Sequence, residues 1–227
     1  FLGRNVFLCS GSIILGCHWR HLLGSLALTI ISWLQYIILL VPFLHWHNWY
    51  FISLLLAALN AILLINVSAT DPGILPRQKF KNERSASVSI IRKDATVLKS
   101  NFCKICNIWR PARARHCKYC DNCVDIFDHH CPWTGTCIGV RNYPQFFAFV
   151  LSVAVSAIIF LFSALYLLCG WLIYGAYTDA YFLRIIVITL NIFWSCTVLS
   201  LVGTLLSFHI YLIYKGQTTN EYFRLKR

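Results

Sequence analysis

The sequence predicts an α-helical polytopic membrane protein with four transmembrane helices and a cytosolic cysteine-rich domain between the second and the third. Three observations carry this. The 227 residues are 58% hydrophobic and only 12% charged, against about 25% charged in an ordinary soluble domain. So few charges cannot cover the surface of one soluble core. The apolar residues gather into long stretches without Lys, Arg, Asp or Glu, and seven of the 11 cysteines fall between Cys103 and Cys137. The net charge of +12 makes the polar part basic. With no Met and Phe at position 1, the chain is expected to be a piece of a longer product.

Residues 1–21 read as a cytosolic N-terminal segment. No charged residue occurs from Leu22 to Thr70. About 20 helical residues cross a hydrocarbon core of about 30 Å, so residues 22–70 hold two spans, 22–43 and 50–70. They break at Pro42–Trp49, where HWHNW supplies interfacial aromatic anchors. The triplet Asn66-Val-Ser68 has the form of a glycosylation site, but inside a span it reads as a polar pair satisfied among helices. Uncharged stretches at Pro144–Thr178 and Ile185–Tyr214 place the third and fourth spans, near 146–170 and 185–214. Residues 215–227 form a tail. Of the 20 Lys and Arg, 19 precede the first span, lie between the second and third, or follow the fourth. The positive-inside rule then puts both termini and the 71–145 loop in the cytosol. His209 is the ionisable group within the spans. It lies near the cytosolic end and reads as a packed or snorkelling histidine, so a channel or transporter finds little support.

Residues 71–100 open with Asp71-Pro72-Gly73, a stop-and-turn after the second span because Pro cannot continue a helix and Gly permits the turn. They continue as a charged, small-residue linker. Residues 101–145 hold Cys103, Cys106, Cys117, Cys120, Cys123, Cys131 and Cys137 with His116, His129 and His130. Stable disulfides are disfavoured in the cytosol, so metal binding is the expected use of such a cluster. Two Cys-x-x-Cys pairs can each point both thiolates at one tetrahedral Zn²⁺. Two closed sites need eight ligands, leaving two residues over; spacing alone does not divide the eight between the sites.

His129 and Cys131 are the natural surplus. Asp128-His129-His130-Cys131 brings an acid, an imidazole and a thiol within four positions. A thiol near an imidazole can act as a thiolate nucleophile at neutral pH, and a carboxylate on the other ring nitrogen would orient the base. A thiolate held at a membrane face suits a donor with a lipid tail and a soluble head group, such as fatty acyl-CoA. On spacing alone, Cys131 as a spare metal ligand stands equally beside this reading.

Cys103-x-x-Cys106, Arg110-Pro111-x-Arg113-x-x-His116-Cys117, Cys120, Cys123, Asp128-His129-His130-Cys131-Pro132-Trp133 and Cys137-x-Gly139-x-x-Asn142-Tyr143 resemble the DHHC protein S-acyltransferases, or palmitoyltransferases. Asp71-Pro72-Gly73 and Thr218-Thr219-Asn220-Glu221 resemble that family's DPG and TTxE motifs. GRNVFLCSG and DPGILPR resemble its plant, protist and Ras-acylating fungal branch. The resemblance implies that Cys131 takes the acyl group, that His129 is its base and that Asp128 orients it. It implies two structural zinc ions, one on Cys103, Cys106, His116 and Cys123, the other on Cys117, Cys120, His130 and Cys137. It implies support from Asp71, Gly73 and Thr219, the last touching Asp128. Thr136 departs from the family, which commonly has Asn or Gln there, and a further C-terminal motif would lie beyond Arg227.

The resemblance also implies palmitoyl-CoA as donor and, as acceptors, juxtamembrane or lipidated cysteines of membrane proteins. It allows for an accessory subunit and expects a location in the Golgi, endoplasmic reticulum or plasma membrane with the active site facing the cytosol. Arg110, Arg113, Arg115, Lys118 and Arg141 either contact CoA phosphates or attract anionic membrane lipids at about 1 kcal/mol each; nucleic acid is not an expected partner beside four spans. On the third span Phe149, Ser152 or Val153, Ser156 and Phe160 share a helix face. Ser156 either makes room for an acyl tail or joins small-residue packing against a neighbouring helix. The competing function is a catalytically silent, zinc-stabilised membrane adaptor, which would have no need of the surplus Asp-His-Cys set.

Overall fold

The computed structural model describes residues 3–44, 48–78, 89–91, 97–99, 101–174 and 181–226. Most of the expected linker, and His45–His47 of the expected interfacial turn, lie outside the described residues. Eleven short strands and six α-helices are described, with one 3-10 turn at Cys9–Gly11. In chain order they are β1 (Val6–Leu8), β2 (Ile13–Leu15), α1 (Trp19–Leu39), α2 (Val41–Leu44), α3 (Trp49–Ala69), β3 (Ile74–Leu75), β4 (Ser89–Ile91), β5 (Val97–Lys99), β6 (Asn101–Cys103), β7 (Ile108–Arg110), β8 (Arg115–Cys117), β9 (Asn122–Val124), β10 (His129–Cys131), β11 (Thr136–Ile138), α4 (Tyr143–Tyr174), α5 (Tyr181–Lys215) and α6 (Thr219–Leu225).

Four helices are long and apolar enough to cross a membrane: Trp19–Leu39, Trp49–Ala69, Tyr143–Ile173 and Leu183–Lys215. The first two have 21 residues each, about 31 Å at 1.5 Å per residue. The last two have 31 and 33 and outrun the expected spans at both ends. α4 begins early because Pro144 sits in its first turn, where no amide partner is needed. The expected first span is shortened to Leu39, and Pro42 falls in the separate turn α2 because it has no N–H to donate. α5 ends in a Schellman turn: Gly216 adopts φ 61°, its N–H donates to Ile213 O and the Gln217 N–H donates to Leu212 O.

The chain divides into two compact units. One holds 24–64 and 147–211, the bulk of the four long helices. Its core is Trp33, Tyr36, Leu40, Val41, Leu44, Phe160, Ala164 and Ile188. Tyr36 stacks on Phe160 with centroids 4.2 Å apart, and Trp33 meets Phe160 edge-on at 4.8 Å. The Tyr36 hydroxyl is bonded to Ser163 Oγ and accepts from Trp49 Nε1, both at 2.8 Å. Around this core Ile31, Phe51, Phe162, Phe193 and Leu201 are each more than 60% exposed, an outward apolar surface that suits lipid rather than water.

The other unit holds Phe1–Leu23, Ile65–Phe146 and Leu212–Arg227. It is a stack of small antiparallel ribbons: β1–β2, β6–β7, β10–β11 and the three-stranded β3–β9–β8. Asp71-Pro72-Gly73 leads into it. Asp71 Oδ1 accepts from the Gly73 and Ile74 amides at 2.9 Å, and Gly73 turns at φ 101°. That turn lets β3 pair with β9, Ile74 opposite Val124.

Candidate active site and metal centres

Two tight turns start the metal-binding geometry. Each Cys-x-x-Cys lies between paired strands, β6–β7 and β8–β9. The residue after each second cysteine is left-handed, Asn107 at φ 55° and Asp121 at φ 52°. Asn and Asp are the non-glycine residues that tolerate this region best. The remaining ligands come in cross-strand pairs: His116 is opposite Cys123, and His130 is opposite Cys137. His116 and Cys117 are consecutive on β8 and so face opposite ways. One strand therefore serves two clusters.

The ligand atoms of Cys103, Cys106, His116 and Cys123 lie within 4.8 Å of one another, and so do those of Cys117, Cys120, His130 and Cys137. This division coincides with the one the resemblance implied. His116 Nδ1 lies 3.8, 3.4 and 3.8 Å from the sulfurs of Cys103, Cys106 and Cys123. His130 Nδ1 lies 3.8, 3.5 and 3.6 Å from those of Cys117, Cys120 and Cys137. Tetrahedral Zn²⁺, with bonds near 2.3 Å to sulfur and near 2.05 Å to nitrogen, requires S···N edges of about 3.5 Å. Both Cys₃His sets therefore fit zinc. Charge agrees. Hydrogen bonds from Cys120 and Cys137 hold the Cys117 thiol far below its ordinary value, while the same contacts push Cys120 and Cys137 up. A divalent cation lets all three ionise together. Each ligand histidine has its second nitrogen engaged: His116 Nε2 is 3.5 Å from Asp121 Oδ1, and His130 Nε2 is 3.0 Å from His18 Nδ1.

β10 also sorts His129, His130 and Cys131. Alternation turns His130 toward the metal set and leaves His129 and Cys131 together on the opposite face. His129 Nδ1 is 2.6 Å from Asp128 Oδ2, so it is Nε2 that is left to act on the Cys131 thiol, which lies on the same face of the strand. Asp128 is buried; its Oδ1 accepts the Thr219 backbone N–H at 2.8 Å. Thr219 thus reaches Asp128 through its amide, at the start of α6. Burial opposes ionisation of Asp128 and Cys131. His129 outweighs it at both, and the carboxyl and the thiol lie below their ordinary values. Burial likewise opposes the imidazolium, but hydrogen bonds to Asp128 and Cys131 raise His129 to about 9. The set favours a carboxylate–imidazolium–thiolate chain. Thr136, opposite Cys131 on β11, is buried.

The expected CoA-binding cations each have a partner within the protein. Arg113 grips Glu221 with two bonds, 2.7 and 2.9 Å, and adds Gly216 O at 3.3 Å. Arg141 pairs with Asp71. Arg115 Nη1 donates to the carbonyls of Ala112 and Ala114, and Lys118 Nζ sits 5.0 Å over the Tyr119 ring. Ser156 lies in the helical unit, where it donates to Ser152 O at 2.8 Å and accepts from Asn60 Nδ2 at 3.1 Å. Sequence reasoning gave Asn142 no role. Its side chain is fully buried, accepts from the Gly139 amide and donates to Cys137 O and Val67 O, tying β11 to the end of α3.

The fold and site define a class: a multi-pass helical membrane protein carrying two zinc-fitting Cys₃His clusters and a separate Asp–His–Cys set. The DHHC palmitoyltransferase family model matches residues 96–226. Palmitoyltransferase erf2 of Schizosaccharomyces pombe is 32% identical over 99% of this chain and 70% of its own length. Probable protein S-acyltransferase 2 of Arabidopsis thaliana is 34% identical over 99% and 61%, and palmitoyltransferase ZDHHC18 of Homo sapiens is 34% identical over 97% and 62%. The chain belongs to the DHHC palmitoyltransferase family. It spans about three-fifths to seven-tenths of the length of these relatives.

Proposed function

We propose that the chain is a protein S-acyltransferase that carries a long-chain acyl group, palmitoyl above all, from acyl-CoA to cysteine thiols of membrane-associated proteins. The observation that carries this is the separation of roles on β10. His130 faces a metal set, while Cys131 and His129 share the other face with Asp128 behind the imidazole. Eight Cys and His close two sites and leave this set for chemistry.

The Cys131 thiolate attacks the thioester carbonyl. The S–C bond to Cys131 forms as the C–S bond to CoA breaks, and the His129 imidazolium gives its proton to the departing CoA sulfur. In the second step neutral His129 takes the proton of an acceptor cysteine, whose sulfur attacks the Cys131 thioester and frees Cys131 as thiolate. Asp128 holds His129 in one orientation and stabilises its charged form, with the Thr219 amide fixing the carboxylate in turn. Zinc would be held by Cys103, Cys106, His116 and Cys123 and by Cys117, Cys120, His130 and Cys137, and would supply rigidity rather than chemistry. The distribution of basic residues supports a cytosolic site, and family membership supports the Golgi, endoplasmic reticulum or plasma membrane as its location.

The test is incubation of the purified protein with labelled palmitoyl-CoA. Label should become hydroxylamine-sensitive on Cys131, and Cys131→Ala should take up none while retaining two zinc ions. Loss of one zinc from Cys131→Ala would make that residue a ligand and return the adaptor reading.

A further inference from the structure

The N-terminal segment closes over the second metal set. β1 and β2 form a hairpin. Ile14 of that hairpin is buried with Cys117, Cys120, Val124, Phe127 and Cys137, and Phe7 and Cys17 pack alongside. The Arg4 amide donates to Cys120 O at 2.9 Å, and Asn122 Nδ2 donates to Asn5 Oδ1 at 2.9 Å. The His18 amide donates to Gly135 O at 3.2 Å. Side chains are excluded where the two backbones meet. A Cβ on Gly16 would lie 2.1 Å from Gly135 O, and one on Gly135, at φ 69°, would lie 2.4 Å from His18 O. This approach delivers the His18 ring to His130, Nδ1 to Nε2 at 3.0 Å, with the rings edge-on. His21 stacks on the outer face of His18 with centroids 5.2 Å apart.

We propose that His18 is a positioning residue for the second zinc: its Nδ1 accepts the Nε2 proton of His130 and so fixes His130 as an Nδ1 ligand. The geometry on the metal side requires that tautomer, since it is Nδ1 of His130 that faces the three sulfurs. A histidine bound to metal through one nitrogen carries its proton on the other, and the partner of that proton sets ring orientation and ligand basicity. The first site solves the same problem differently, with the Asp121 carboxylate behind His116. The two sites thus have outer partners of different charge. The second depends on a residue 112 positions from its ligand, so integrity of that site is coupled to the N-terminal hairpin.

The proposal rests on zinc filling both sets, and the test separates the two. The full chain, in detergent and loaded with zinc, is mixed with excess chelator, and zinc release is followed optically. Two zinc ions per chain are expected from the wild type and from each variant at the start; fewer in the wild type fails the zinc assignment itself. His18→Ala should speed release of one ion by about 10–100-fold, the usual cost of removing an outer partner, and leave the other unchanged. His18→Gln, whose amide oxygen can accept the same proton, should recover most of the difference. Asp121→Asn should speed the other phase instead, which identifies the sites.

Two equally accelerated phases in His18→Ala, no acceleration, or a His18→Gln protein as labile as His18→Ala would each overturn the proposal. Should His18→Ala fail to fold, the wild type decides. With ¹⁵N-labelled histidine, His130 should show a protonated Nε2 coupled through a hydrogen bond to a second histidine nitrogen. Absence of that coupling overturns the assignment.

Discussion

Arg113 stands where CoA phosphates were an expected ligand, yet its guanidinium is bidentate to Glu221, and Arg113→Ala distinguishes the two uses. Glu221 is 2% exposed, and the Arg113 side chain is 27% exposed. Truncating one partner of a fully buried pair costs about 3–5 kcal/mol, because the other charge is stranded. Here the Glu221 carboxylate keeps the Thr218 amide at 2.9 Å, and water can reach the space Arg113 vacates. Both reduce the loss, to about 2 kcal/mol, or about 30-fold in an equilibrium. That equilibrium is the docking of α6. Glu221 and Thr218 form the capping box that starts this helix, and the next amide, of Thr219, is the one given to Asp128.

Hydrogen exchange reads the effect directly: protection of the Thr219 amide should fall about 30-fold in Arg113→Ala. Arg113→Lys should lose less, since it keeps the charge but not the fork. Adding Glu221→Gln to Arg113→Ala should recover part of the loss, since no buried charge is then stranded. Unchanged Thr219 protection together with a raised KM for acyl-CoA would refute this and make Arg113 a CoA contact.

His129→Ala should lower autoacylation by about 10²–10⁴-fold, the usual span for a lost acid–base group, with two zinc ions still bound by metal analysis. Near-full activity at neutral pH would remove it from the mechanism. Asn142→Ala strands the Gly139 amide and two carbonyls in a buried setting and should cost about 2–4 kcal/mol; a thermal-unfolding midpoint in detergent within a degree of wild type would contradict this. Ser156→Phe should shift acyl-CoA preference from 16–18 carbons toward 14 or fewer, read by competition across chain lengths, if that residue bounds the tail. An unchanged profile in an active variant would leave Ser156 as a packing residue bonded to Asn60 and Ser152.

What the sequence made legible and what it hid divide by distance along the chain. The four spans are visible because charge is expelled from about 20 consecutive residues, and the structure's helices differ from the expected spans by a few residues at their ends. The ligand inventory is visible because seven Cys and three His crowd between Cys103 and Cys137. Division of the eight ligands was not legible from spacing, because the two sets interleave: His116 belongs with Cys103, and Cys117 with His130. A local signal existed in part. His116–Cys117 and His129–His130–Cys131 alternate faces of strands only three residues long, too short for a hydropathy pattern to announce. Asn107 and Asp121, directly after each Cys-x-x-Cys, marked the left-handed turns that build both knuckles.

Most contacts that support the chemistry leave no local trace, and the Thr219–Asp128 contact was expected only through the resemblance of Thr218-Thr219-Asn220-Glu221 to a family motif. Asn5 meets Asn122 across 117 positions, His18 meets His130 across 112, Arg113 meets Glu221 across 108 and Thr219 meets Asp128 across 91. In each pair one member lies in the module and the other near an end of the chain. Short two-stranded ribbons bury too little to be stable alone, so the module gains from the terminal segments that pack on it. The N-terminal hairpin runs directly into α1, α6 follows the Gly216 turn that ends α5, and both belong to the same compact unit as the module. Hydrogen bonds from these segments fix Asp128 and, by the inference above, His130. Residues that position the site therefore come both from the cysteine-rich motif, as Asp121 does, and from segments distant in sequence, as His18 and Thr219 do.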